Sequence, residues 1–246
     1  MSVLLLALTA GAVIGLALGA LGGGGSVLAV PALIYLLGFT PVEATTASLV
    51  IVTLTSVTAL AGHARDGHVR WRTGLLFAAA GIVPAMLGGA LAARLPGALL
   101  TAGFALLAGT AAVRMLRTAP ATPARVRPVR AATAGAGLGG VTGLLGVGGG
   151  FLAVPALVGV LGLRMRAAVG TSLLVITVNS LAALSTRAGT LTGLDWAVVA
   201  PFTGAAILAA WDGRRLATKV SGPALQRTFA VTLLAVAAFM LLEAAL

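Results

Sequence analysis

Long apolar stretches recur along the whole chain, and the loops between them carry most of its charged residues. A helix of about 20 residues crosses the hydrocarbon layer of a bilayer, and many of these stretches approach that length. Lipid offers no partners to backbone polar groups, so such segments fold as helices. With 59% hydrophobic and 9% charged residues, the chain also lacks the polar surface that a soluble domain requires. The predicted fold class is all-α, a polytopic transmembrane helical bundle.

The chain also contains an internal repeat whose two copies are interrupted in the same way. A shift of 124 positions aligns Gly19–Ile34 with Gly143–Val158, and eleven of the sixteen pairs are identical. The aligned motifs are "GALGGGGSVLAVPAL" and "GLLGVGGGFLAVPAL". Further identical pairs lie outside this region: Gly11 and Gly135, Ser48 and Ser172, and, after one inserted residue, Trp71 and Trp196, and Phe104 and Phe229.

Each half is predicted to contain five helical segments. In the first half they lie near residues 2–21, 25–38, 43–62, 73–93 and 97–116, and in the second near 131–146, 149–162, 167–186, 195–213 and 222–245. The predicted division of the chain is a first membrane repeat at 1–116, a cytoplasmic linker rich in proline and arginine at 117–130, and a second, inverted membrane repeat at 131–246.

The distribution of positive charge predicts how the segments are oriented. Fourteen of the sixteen lysine and arginine residues fall into four segments, near 63–72, 114–130, 163–166 and 214–227. Cytoplasmic loops are enriched in such residues, so these segments are placed in the cytoplasm and both termini outside. Corresponding loops of the two halves then carry opposite charge, which predicts inverted repeats, an arrangement typical of secondary transporters. Segments one and two of each half either cross the membrane or form a re-entrant pair, and the charge pattern fits both.

Segment two is short in both halves and begins directly after a glycine run. About fourteen residues span roughly 21 Å, less than the hydrocarbon thickness of about 30 Å, so each is predicted to be a half-helix that starts inside the protein. The free N–H groups at such an end carry partial positive charge and suit an anion, and glycine lets the ligand approach. Close helix packing is the alternative role of the glycines. The two ends are expected to meet near the midplane as an anion cradle formed by Gly24, Gly25, Ser26 and Val27 with Gly148, Gly149, Gly150 and Phe151.

Segment three supplies polar side chains that can complete this cradle. Ser48 and Thr55 are seven residues apart and share a helix face, as do the aligned Ser172 and Asn179. Hydroxyl and amide groups can donate hydrogen bonds to an oxyanion without the cost of burying a full charge. Hydrogen bonding between helices is the alternative role of each.

The remaining polar residues indicate access routes rather than catalysis. The aligned His63 and Arg187 end segment three and are predicted to line vestibules that draw anions in. The chain has no cysteine, no serine–histidine–acid set, no spacing of metal ligands and no nucleotide-binding loop. The protein is therefore not expected to be an enzyme or to use a cofactor or metal.

These motifs resemble the sulfite exporter TauE/SafE family of membrane permeases. The resemblance rests on the two glycine-rich motifs, on "VGTSLLVITVNSLAAL" at 169–184 and on its counterpart "TTASLVIVTLTSVTAL" at 45–60, and it covers essentially the whole chain. It implies a bacterial inner-membrane protein that moves sulfite, organosulfonates and related sulfur-containing anions. The first half departs from the pattern, because Thr46 and Ala47 stand where Gly-Thr is expected.

The function predicted from these features is secondary transport, most simply export, of a small sulfur-containing anion. A carrier of another small anion, such as a carboxylate, and a membrane scaffold or sensor without flux are the alternatives. The expected partners are the anion, membrane lipid, a coupling ion (H+ or Na+) if transport is coupled, and a second copy of the chain if it forms a homodimer. Nucleic acid is not expected, because the net charge of +11 lies in short loops rather than in a basic domain.

Overall fold

The computed structural model describes residues 3–92, 97–117, 127–144, 150–185, 191 and 193–245. This part of the chain contains ten α-helices: α1 Val3–Leu21, α2 Gly24–Pro31, α3 Pro41–Arg65, α4 Trp71–Ala92, α5 Gly97–Arg117, α6 Pro128–Leu144, α7 Gly150–Gly159, α8 Met165–Ser185, α9 Trp196–Lys219 and α10 Gly222–Ala245. A π-helical turn, Ala32–Leu36, extends α2. Five of the described helices are long and apolar enough to cross a membrane, namely those at 3–21, 43–65, 165–185, 196–219 and 222–239.

The helices confirm the predicted all-helical fold class and follow the predicted segments closely. The short second segments are present, since α2 has 8 residues and α7 has 10. The aligned Trp71 and Trp196 begin α4 and α9 respectively. Several boundaries differ from the prediction by three residues or more: α3 ends at Arg65 rather than 62, and α7 ends at Gly159 rather than 162. Helix α9 continues to Lys219 rather than ending at 213, because Ala217 is buried in the core, and 128–130, assigned to the linker, form the start of α6.

Side chains at two helix starts bind the free N–H groups found there. At α3, the Thr40 backbone N–H donates to Glu43 Oε2 at 3.0 Å, and the Glu43 N–H donates to Thr40 Oγ1 at 3.4 Å. This reciprocal pair is a capping box. At α9, Asp195 Oδ1 accepts from the Ala197 N–H at 3.0 Å. Both carboxylates also lie at the positive end of a helix dipole, which favours them there.

Helices of the two halves interleave, and the packing follows the sequence repeat. Helix α1 packs along α9, and the corresponding helix α6 packs along α4. Helix α3 packs on α8 and α5 on α10, so each of these pairs joins corresponding helices. If each helix is replaced by its counterpart in the other half, the set of packed helix pairs stays the same, as a pseudo-two-fold arrangement requires. The inverted orientation of the repeats in the membrane stays a prediction.

Glycines form the closest contacts in these pairings. A Cβ atom on Gly11 would overlap the backbone of Phe202. The aligned Gly135 has the same relation to Phe77, which aligns with Phe202. Both phenylalanines are fully buried. These glycines therefore allow backbones to approach closely, as small residues do between membrane helices.

Polar contacts link the loops at one end of the bundle. Arg214 of α9 donates to Asp66, which follows α3, at 2.7 Å. Arg166, near the start of α8, donates at 3.1 Å to the Val220 carbonyl just beyond α9. A cation at the C-terminal end of a helix is favoured by the helix dipole.

A further contact places the C-terminal end of α5 at the same end of the bundle. Buried Gln226 of α10 donates through Nε2 to the Met115 carbonyl in the last turn of α5, at 2.5 Å. The described residues of all four segments that carry the predicted cytoplasmic charge thus lie at one end of the bundle.

We expect this basic end to face the cytoplasm, because positive residues are retained there during insertion. A reporter fused at residue 122 should give a cytoplasmic signal, and one fused after the C-terminus should give an external signal. Equal cytoplasmic signals at both positions would contradict this topology.

Candidate substrate site

Helices α3 and α8 meet through a buried hydroxyl pair. Ser56 Oγ of α3 lies 3.0 Å from Thr177 Oγ1 of α8, and either oxygen can donate. Both residues are near the middle of their helices. This pair was not among the predicted site residues. The repeat contains a signal for it, because Thr53 aligns with Thr177 and Ser56 with Ser180.

Three of the four predicted donors are buried hydroxyls whose protons are bound within their own helix. Ser48, Thr55 and Ser172 are 7%, 1% and 0% exposed. Each donates to a backbone carbonyl three or four residues earlier, at 2.9, 2.6 and 2.8 Å respectively. In this conformation the hydroxyls can accept hydrogen bonds, and they must rotate before they can donate to an anion.

Asn179 differs from these hydroxyls because its amide oxygen has no hydrogen-bond partner in the described part of the chain. This Oδ1 atom is buried. Asn179 is also the only asparagine of the sequence. Buried side-chain polar atoms nearly always have a partner, so this oxygen requires an explanation such as a bound water, an ion or a ligand. A half-turn of the amide presents its NH2 group instead of its oxygen, and the NH2 group can donate to an anion.

The first glycine run turns the chain against α8, close to Ser172. Gly22 has a φ of 71°, a left-handed conformation that favours glycine. A Cβ atom on Gly22 would lie 2.6 Å from Ser172 Oγ and 3.2 Å from the Val169 carbonyl oxygen. Helix α2 then begins at Gly24. Its free N–H end is therefore placed beside the half of α8 that contains Ser172.

The structure describes the remaining cradle residues only in part. Gly24–Val27 form the first turn of α2, and Gly150 and Phe151 begin α7. The side chains of Ser26, Val27 and Phe151, and all of Gly148 and Gly149, lie outside the described residues.

The described residues bring together some of the predicted cradle. Helices α2 and α7 contact each other, α2 packs on α3, and α7 packs on α8. Ser172 and Asn179 are seven residues apart, which is about 10 Å along a helix. The hydroxyl contact across α3 and α8 is made by Ser56 and Thr177 rather than by the four predicted donors. The meeting of both half-helix ends at a single cradle stays a prediction.

The Gly-Thr pair of α8 contacts the loop between α3 and α4. A Cβ atom on Gly170 would lie 2.9 Å from the His68 carbonyl oxygen. The next residue, Thr171, accepts at 3.1 Å from the Arg70 N–H. The loop between α3 and α4 therefore docks on this pair.

His63, one of the two predicted vestibule residues, is buried. Its side chain is 3% exposed, and Nε2 lies 3.2 Å from the Gly19 carbonyl oxygen. The ring centroid is 6.1 Å from that of His68. In this structure His63 packs at the end of α1 and does not line an open entrance. Arg187, the other predicted vestibule residue, lies outside the described residues.

Comparisons with known proteins indicate a membrane transporter. The family model described as sulfite exporter TauE/SafE matches residues 7–240. Two curated relatives from Xylella fastidiosa, strains 9a5c and Temecula1, are both described as "Probable membrane transporter protein". Each is 34% identical over 249 aligned positions, which cover 97% of this chain and 95% of the relative. The similarity therefore extends through both halves of the repeat.

Proposed function

Because this chain belongs to the sulfite exporter TauE/SafE family, we propose that it is a secondary transporter that exports small sulfur-containing anions, such as sulfite or organosulfonates, across the bacterial inner membrane. The main observation behind the proposed site is the buried Oδ1 atom of Asn179, which is unpaired within the described part of the chain. It lies two helical turns from Ser172, where the free N–H end of α2 approaches α8.

The proposed site binds the anion through partial charges. The N–H end of α2 supplies partial positive charge, Asn179 supplies an amide donor, and the buried hydroxyls supply further donors after rotation. The four side chains proposed to bind substrate, Ser48, Thr55, Ser172 and Asn179, carry no formal charge. Such binding is weak enough to permit release, which a transporter requires.

The proposed direction follows from the membrane potential. The cytoplasm is electrically negative, so an anion leaves the cell downhill at about 2.3 kcal/mol per charge per 100 mV. The sequence contains no nucleotide-binding loop of the P-loop type. Export of an uncoupled anion is therefore feasible, whereas uptake requires a coupling ion such as H+ or Na+.

Flux through proteoliposomes tests this function. Vesicles loaded with sulfite, taurine, sulfoacetate or lactate are given an inside-negative potential, and efflux is compared with that from protein-free vesicles. We expect sulfite or a sulfonate to leave fastest and efflux to increase with the potential. Faster efflux of lactate would indicate a carboxylate carrier, and no protein-dependent efflux of any solute would indicate a scaffold or sensor.

A further inference from the structure

A groove on the surface of the bundle lies outside the proposed substrate site. It has a volume of about 790 Å³ and is lined by residues of α5, α6 and α7. Its walls are mostly apolar, and they include Leu107, Leu138 and Leu152. Arg114 and Arg117, both exposed in the last turn of α5, line the groove at the basic end of the bundle. The groove therefore combines an apolar wall with a cationic end.

The sequence repeat shows why this groove is open. Gly159 of α7 aligns with Tyr35, and Arg114 of α5 aligns with Phe239. Tyr35 and Phe239 form an edge-to-face pair, with ring centroids 6.0 Å apart and an interplanar angle of 83°. This pair joins the π-helical turn after α2 to α10 and occupies the position equivalent to that of Gly159 and Arg114. In the second half Gly159 leaves the space free, since a Cβ atom there would meet nothing within 4 Å.

We propose that this groove binds one anionic phospholipid from the leaflet at the basic end. An acyl chain lies along the apolar wall, and the phosphate accepts charge-assisted hydrogen bonds from Arg114 and Arg117. Basic pockets between helices on the cytoplasmic side of a membrane are suited to anionic headgroups. A free inorganic anion would use the arginines but would leave the apolar wall uncovered, so the lipid fits the whole groove. This site is independent of the transported substrate.

Native mass spectrometry of the purified full-length chain tests the proposal. The protein is mixed with equal amounts of phosphatidylglycerol and phosphatidylcholine, and bound lipid is counted. We expect wild type to prefer phosphatidylglycerol. Arg114→Gln and Arg117→Gln are each expected to reduce that preference roughly fivefold, because one arginine near anionic lipid contributes about that factor. The control Arg215→Gln, at an exposed arginine paired with Asp212 at 3.5 Å, should leave the preference unchanged.

A second variant tests the apolar wall separately. Gly159→Tyr copies the residue found in the first half and should reduce binding of both lipids at least fivefold. The matched control is Gly204→Tyr on α9, where a Cβ atom also meets nothing within 4 Å. Wild-type lipid binding by Gly159→Tyr would overturn the proposal, and so would an undiminished preference in both glutamine variants. Displacement of phosphatidylglycerol by millimolar phosphate or sulfite with no effect of Gly159→Tyr would show an anion site instead.

Discussion

Replacing Gly15 by leucine is expected to shift the folding equilibrium toward the unfolded state about five- to hundredfold. A Cβ atom on Gly15 would overlap the backbone of Ala206 in α9, and a backbone cannot rotate aside as a side chain can. Overpacking of a core typically costs about 1–3 kcal/mol, and each 1.4 kcal/mol is about tenfold in an equilibrium. The yield of monodisperse protein after detergent extraction measures the effect, together with its midpoint of thermal unfolding.

The same substitution at Gly204 is the control, because this glycine of α9 is exposed and has open space around it. Gly204→Leu should behave as wild type. The repeat supplies a second matched pair in α6. A Cβ atom on Gly139 would overlap the backbone of Gly81, whereas Gly137 has nothing within 4 Å. Equal yields for Gly15→Leu and Gly204→Leu would show that α1 and α9 do not depend on this close approach.

Replacing Asn179 by leucine is expected to reduce anion affinity and transport about ten- to hundredfold while leaving stability nearly unchanged. Loss of a buried polar partner costs a ligand about 1–3 kcal/mol. Within the described residues the Asn179 oxygen has no partner, so the folded protein loses little when it is removed. Affinity is measured by the sulfite concentration dependence of efflux, and stability by thermal unfolding of the same preparation.

Gln226 provides the matched control because its buried amide is paired. Its Nε2 donates to the Met115 carbonyl, which joins α10 to α5. Gln226→Leu should therefore lower the unfolding temperature, and the protein that remains folded should keep normal affinity. If Asn179→Leu unfolds as readily as Gln226→Leu and retains wild-type efflux per folded molecule, the amide is structural and the proposed site is wrong.

The helical segments could be predicted because their signals are local. Apolar stretches and charged loops depend on residues close together in sequence, and the structure places α1, α5 and α10 within a few residues of the predicted bounds. The repeat also predicted correspondences that the packing shows. Gly11 meets Phe202 as the aligned Gly135 meets Phe77, a regularity that follows from two copies of one segment adopting one conformation.

The candidate site was predicted less completely, because the order of residues along one helix does not determine which side chains of other helices they contact. Ser48, Thr55 and Ser172 were assigned as donors from their spacing, yet each hydroxyl donates within its own helix. The vestibule residue His63 is polar and close to a charged loop, yet tertiary packing buries it against Gly19. The hydrogen-bond partners and the burial of these side chains depend on which neighbouring helix packs against the helix face that carries them.

The sequence by itself determined the membrane class, the approximate positions of the helical segments, the internal repeat and the family, because hydropathy, loop charge and motif are properties of the chain. Tertiary structure alone decided which groups meet. It pairs Ser56 with Thr177, leaves Asn179 Oδ1 unpaired among the described residues, and opens the groove beside Arg114, whereas Tyr35 and Phe239 form an aromatic pair at the equivalent position. The physical reason is that these contacts and spaces arise between helices distant in sequence, where side-chain volume and helix crossing decide what is covered.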